Sequence, residues 1–109
     1  MITLGMIITR DFTTHNPNTG DVQDADFLPT CEVFANAVDI PIILPIVVKR
    51  AGFIGIYRVT FTVNSVNGFM LNGSYNVDVE ATVNAITARA NIYSFMVEQA
   101  AKQKAVFAI

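Results

Sequence analysis

The chain has one histidine and one cysteine, so any imidazole or thiol chemistry must run through His15 and Cys31. His15 sits in Thr-His-Asn-Pro-Asn-Thr-Gly, a run of turn-forming residues. A general base needs a nucleophile or carboxylate within reach, and Asp11 is the one close candidate in sequence. The plainer reading is a loop imidazole hydrogen-bonded to local backbone. Cys31 falls in a short apolar segment, where a thiol behaves as a small inert hydrophobe. Asp21, Asp24 and Asp26 form the single carboxylate cluster, in Gly-Asp-Val-Gln-Asp-Ala-Asp. They read as solvated loop acids or as candidates for a weak calcium site, since carboxylate oxygens suit that ion. Their spacing is not that of an EF-hand. Gly52 and Gly55 lack the following Lys-Ser/Thr of a phosphate loop. Lys49 and Arg50 read as a solvated strand end. With no zinc, nucleotide, haem or flavin pattern in the sequence, we expect no enzymatic activity and no cofactor.

Composition turns attention from catalysis to surfaces. Of 109 residues, 52% are hydrophobic and only 15% charged, with a mean hydropathy of +0.45. Soluble domains average about 25% charged residues. This balance excludes intrinsic disorder, which needs low hydrophobicity and high net charge. A net charge of −2 offers no basic field for nucleic acid. A membrane helix is not expected either. The most apolar run, Ile40 to Val48, is broken by Pro41 and Pro45 and is far shorter than the ~20 residues a span requires. The start, Met-Ile-Thr-Leu-Gly-Met, lacks a basic leader. A lone cysteine rules out a disulfide framework and fits synthesis in the cytosol. The apolar excess therefore points to assembly with other chains.

The elements that would carry such surfaces are strands. Valine (13), isoleucine (12) and threonine (10) dominate, and β-branched side chains favour extended backbone. From Tyr75 to Val83, Tyr75, Val77, Val79, Ala81 and Val83 alternate with polar residues. Tyr57 to Val63 repeats the design with Tyr57, Val59, Phe61 and Val63 inward. Further strands are expected over Ile2 to Phe12, Thr30 to Phe34 and Ile86 to Val97. The last would face inward through Ile86, Ala88, Ala90 and Ile92, with a register change after Tyr93. Ile42 to Val48 reads as one or two strands at an edge or changing sheet, because proline cannot donate to a ladder. About seven short strands with turn signals between them predict an immunoglobulin-like β-sandwich over residues 1–97. Residues 98–109 form a C-terminal extension, an arm or a short helix, since Glu98 to Ala105 favours helix.

Two Gly-x-Tyr-x-Val segments, Gly55 to Val59 and Gly73 to Val77, read as strand starts with an aromatic anchor. Tyr75 stands where sandwiches of this type place a corner hydrogen bond. The candidate interaction residues are those with no role in alternation. They are Ile40, Ile42, Ile43, Leu44 and Ile46, together with Val106, Phe107 and Ile109 in the extension. Consecutive apolar residues imply either a connector crossing the core or a segment whose outer face packs on another chain.

Between Asp11 and about Phe95 the sequence resembles small immunoglobulin-like structural proteins of tailed bacteriophages. The resemblance rests on Thr19, Gly20, Asp24, Ala25 and Asp26 in the first long loop, and on Pro29-Thr30 opening a strand. It continues with Gly55 and Tyr57, then Tyr75, Val77, Ala81, Thr82 and Val83. One departure is the turn Asn84-Ala85, where Asn-Gly is usual, because alanine disfavours the positive φ of a tight type I′ turn. The resemblance implies a virion protein made in the host bacterial cytoplasm, without enzymatic activity. Its partners would be other virion proteins, either the major capsid protein or neck and tail proteins, in a homo-oligomer or symmetric assembly. The leading expectation is a capsid decoration or cement protein. The alternative is a tail, neck or baseplate adaptor for a fibre. Host-surface receptor or carbohydrate binding by the loops, which hold Phe27, Phe53 and Phe69, ranks third.

Overall fold

The computed structural model describes residues 1–99. It is an all-β sandwich of two antiparallel sheets. The strands are β1 (Ile7–Thr13), β2 (Thr30–Ala35), β3 (Val47–Lys49), β4 (Ile56–Thr62), β5 (Ser74–Val83) and β6 (Ile86–Met96). One sheet has the order β1-β4-β3 and the other β2-β5-β6. The chain crosses between sheets after β1, β2 and β4. Only β3–β4 and β5–β6 join neighbours in one sheet.

Alternation places the core. Ile8, Val47, Tyr57, Val59 and Phe61 of the first sheet meet Cys31, Val33, Tyr75, Val77, Val79 and Phe95 of the second in one buried cluster. Phe69, one of the few aromatics near the loops, lies at its centre with 1% of its surface exposed. Its ring meets Tyr75 edge-on at 4.7 Å and stacks with Phe61 at 5.8 Å. Such pairs add ~0.5–1.5 kcal/mol to the area they bury.

Six strands form among the described residues rather than about seven, because two segments divide between the sheets and the first part of each makes only an isolated bridge. The first expected strand breaks at Gly5 (φ 96). Before the break, Ile2 bridges Val97 beside β6. After it, β1 pairs with β4. The Ile42–Val48 segment does the same. Ile42 N–H donates to Val33 O at 2.8 Å, and Val33 N–H donates to Ile43 O at 3.1 Å, which ties it to β2. Three residues beyond Leu44, Val47 starts β3 on the other sheet. Pro45 lies between these pairings, where no ladder donor is required.

Both Gly-x-Tyr segments work as anchors. Tyr57 Oη accepts the Ala25 N–H at 2.9 Å, and Tyr75 Oη accepts the Met70 N–H at 2.7 Å. The second bond reaches back to backbone just upstream of the strand. Glycine is required at both sites. A Cβ on Gly73 would fall 2.8 Å from Tyr75 Cζ, and one on Gly55 (φ +70) 2.7 Å from Val22 Cγ1.

On β6, Ile86, Ala88 and Ala90 pair opposite Val83, Ala81 and Val79, but all three are exposed rather than buried as expected, because β1 ends at Thr13 short of this part of β6. The register change comes one residue earlier than expected. Val77 pairs with Tyr93 and Asp78 with Asn91, so Ile92 is the extra residue of a bulge.

Candidate interaction surfaces

Of the residues that invited chemical readings, Cys31, Asp11, Asp24 and Asp26 are occupied by structural work, and the side chains of His15 and Asp21 are exposed. Cys31 is 2% exposed, and burial pushes its thiol up to about 12, with the Asp78 and Glu32 carboxylates adding to the shift. His15 is exposed and pairs through its backbone with Val22. Its sequence neighbour Asp11 points elsewhere. Asp11 accepts Arg58 Nε at 2.8 Å and Arg50 Nη1 at 2.8 Å on the outer face of the first sheet. The hydrogen bond from Arg58 is the main force lowering the Asp11 carboxyl below the usual carboxylate range. Partial burial opposes it, and Arg50 reinforces it.

The loop aspartates do not converge either. Asp24 accepts the Gly55 N–H through Oδ1 at 2.5 Å, with Lys49 Nζ at 3.6 Å. Asp26 accepts Asn84 N–H at 3.0 Å and Ala85 N–H at 2.8 Å. Asp21 is exposed on the loop. Among the described residues no three metal-ligating side chains gather. The Asp24 and Asp26 carboxylates hold their loop to the start of β4 and to the β5–β6 turn. Asp26 also answers the Asn84-Ala85 question. Both residues take positive φ (51 and 64), as a type I′ turn demands, and the carboxylate holds both turn amides.

The Ile40–Ile46 segment divides by direction. Ile42 and Ile43 are half-buried against the core, and the flank of Ile42 covers Gly68. Ile40 (75% exposed), Leu44 (68%) and Ile46 (77%) point outward. Val48 continues the alternation of Leu44 and Ile46 on the outer face of β3 and is 59% exposed. The segment is thus both a connector and a surface. Its inner residues pack on the core beside β2, and its outer ones are exposed apolar side chains, of which Ile46 and Val48 flank the β3 edge. Val106, Phe107 and Ile109 lie outside the described residues.

Two features escaped sequence reasoning. The first is a polar trough of about 710 Å³ on the outer face of β2-β5-β6. There Arg89 bonds Glu32 at 2.8 Å, stands 3.6 Å from Asp78 and covers the Phe34 ring at 5.4 Å. Outward positions on adjacent strands are far apart in sequence, so only the register unites them. The second is an apolar groove of about 170 Å³ between the end of β1 and the β5–β6 hairpin. Small residues at Ala81, Ala88 and Ala90 were its one sequence signal.

Comparison with protein-family models, with curated proteins and with solved structures finds no match to this chain.

Proposed function

We propose that this chain is a non-enzymatic structural protein of a tailed-bacteriophage virion, acting as a capsid decoration or cement protein. It is made in the bacterial cytoplasm and joins the particle through contacts with shell subunits. Three supports converge. The strand orders β1-β4-β3 and β2-β5-β6 match the B-E-D and C-F-G sets of an immunoglobulin-like sandwich, with its first strand reduced to the bridge at Ile2. The Tyr75 corner belongs to that wiring. The sequence pattern from Asp11 to Phe95 resembles phage proteins of this type.

The observation that carries the reading is the exposure of three large apolar side chains in one short segment, Ile40, Leu44 and Ile46. Their neighbours Ile42 and Ile43 already serve the core, so the outer three are not needed to complete it. Burying such a side chain contributes about 1.5–3 kcal/mol, and this gain waits for a partner. Repeated over the copies of a symmetric shell, the contact would brace neighbouring subunits.

The test is to purify virions from the host that encodes the chain and quantify it by gel densitometry and mass spectrometry. A copy number of the same order as the main shell subunit supports the reading. Absence from purified particles refutes it, and a much smaller number moves the protein to neck or tail. Ile46→Asp should then lower incorporation while the isolated domain still folds.

A further inference from the structure

The trough on the outer face of β2-β5-β6 has the volume of a small-molecule site, about 710 Å³ against ~300–1,000 Å³ for ligand pockets in general. Such pockets are mostly apolar, and this one is not. Its floor is Phe34, Asn76, Asp78 and Asn91, outward positions that the register sets side by side on three strands. The turn after β2, from Ala35 to Asp39, forms one wall, and the Arg89–Glu32 pair closes the other end.

The polar groups are held in place before any ligand arrives. Ser94 Oγ donates to Asn76 Oδ1 at 2.7 Å, and Asn91 Nδ2 donates to Asp78 Oδ1 at 3.0 Å. Short side chains fixed in this way lose little freedom on binding. They also keep bonding capacity. Asn76 retains its NH2 as a donor, and Asp39 has no ion pair among the described residues. The wall is pinned as well. Asn36 N–H donates to Ser74 O at 2.9 Å, and Val38 N–H donates to Ala35 O at 3.1 Å. Ala37 holds φ 61, a conformation that glycine adopts without cost. Alanine accepts that strain and puts a methyl group on the wall, and strain of this kind gathers at ligand clamps.

Charge and bonding select the ligand. Three carboxylates, Glu32, Asp39 and Asp78, line the trough with one guanidinium, so phosphates, sulfates and acidic sugars are repelled. The position a cation would favour is already filled. Arg89 bonds Glu32 at 2.8 Å, stands 3.6 Å from Asp78 and covers the Phe34 ring at 5.4 Å. What stays open is a set of amides and carboxylates next to the small apolar groups of Ala35, Ala37 and Val38. A hydroxyl both donates and accepts, so neighbouring hydroxyls can satisfy an amide and a carboxylate together. The C–H face of a sugar ring then lies on the apolar wall. We infer that this trough binds a short neutral saccharide, with Asn76, Asn91 and Asp39 as its polar contacts. The site is a sheet face, distinct from the loops that hold Phe27 and Phe53. It belongs to the isolated chain, so it stands or falls separately from the virion reading.

The test probes the full-length chain on an array of immobilised neutral oligosaccharides of glucose, galactose, mannose and N-acetylglucosamine, with sialylated and sulfated ones beside them. Multivalent display raises apparent affinity by ~10²–10⁴-fold, which suits a shallow site. Binding should be confined to neutral glycans, and the matching soluble oligosaccharide should compete for it. Asn76→Ala with Asn91→Ala should weaken binding by roughly tenfold or more. Phe27→Ala should leave it unchanged. The urea midpoint of each variant confirms that it folds. Absence of binding to every neutral glycan would overturn the inference. So would a preference for the acidic ones, or binding that survives the asparagine pair and is lost with Phe27→Ala.

Discussion

Removing the Asp26 carboxylate should loosen the β5–β6 hairpin from its tip, and the structure sets the size of the effect. Oδ1 and Oδ2 of Asp26 each accept one turn amide, from Asn84 at 3.0 Å and Ala85 at 2.8 Å. A hydrogen bond to a charged group contributes ~1.5–3 kcal/mol when dry. Asp26 and both turn residues are exposed, so water replaces part of each bond. The loss for Asp26→Ala then comes to ~1–2 kcal/mol for the pair. At roughly 4 °C per kcal/mol for a domain of this size, the melting temperature should fall by ~4–8 °C. A second substitution checks the cause. Ala85 holds φ 64, a conformation costing an L-residue roughly 1–2 kcal/mol. Glycine removes that cost and returns about 0.5–1 kcal/mol in unfolded-chain entropy. Ala85→Gly should therefore stabilise by about 0.5–1 kcal/mol, and it should recover part of the Asp26→Ala loss in the double variant. Urea and thermal unfolding followed by circular dichroism measure all three. If Asp26→Ala leaves stability unchanged, or Ala85→Gly lowers it, the claim that this carboxylate props a strained turn is refuted.

Other consequences follow from the same geometry. Ile43→Asp should unfold the domain and Ile46→Asp should cost less than ~0.5 kcal/mol, since one packs on the core and the other is 77% exposed; equal effects on the urea midpoint would contradict the two-faced reading of that segment. Tyr75→Phe leaves the buried ring in place but strands the Met70 amide, so a loss of ~1–3 kcal/mol is expected in the same assay. Asp11 has a folded pKa below its unfolded value, so its contribution is present above about 3.9 and is lost as pH falls through the lower folded value. Asp11→Asn should flatten that part of the acid limb in a pH series of denaturation midpoints. Cys31, with its thiol at about 12, should resist alkylation in the native protein at pH 8 and react at once in guanidinium. Its raised folded value also means stability that is full below the unfolded pKa and declines as pH climbs toward 12.

The strongest strands were legible because one physical rule governs them. Where a strand is half-buried, side chains alternate, and Tyr57–Phe61 and Tyr75–Val79 display that alternation without interruption. The Tyr75 anchor was legible too, since glycine two residues before a strand-leading tyrosine has a steric cause now visible as the ring lying against Gly73. The expected first strand was not resolved correctly. The alternation of Ile2, Leu4, Met6 and Ile8 continues through Gly5, but its positive φ breaks the pairing and sends the two parts to different sheets. The burial of Phe69 was not legible, because a buried loop aromatic and an exposed one look alike in sequence.

By itself the sequence determined the all-β class, the inward faces of the long strands and the apolar excess. These depend on residue type and short-range periodicity, which the local backbone enforces. Only the tertiary structure decided where the excess lies. Ile42 and Ile43 turned inward while Leu44 and Ile46 turned out, because the segment changes sheet between its two pairings. The groove beside Ala88 exists because β5 and β6 run on past the end of β1. Cross-sheet lengths and registers are relations between distant parts of the chain, and no local pattern encodes them.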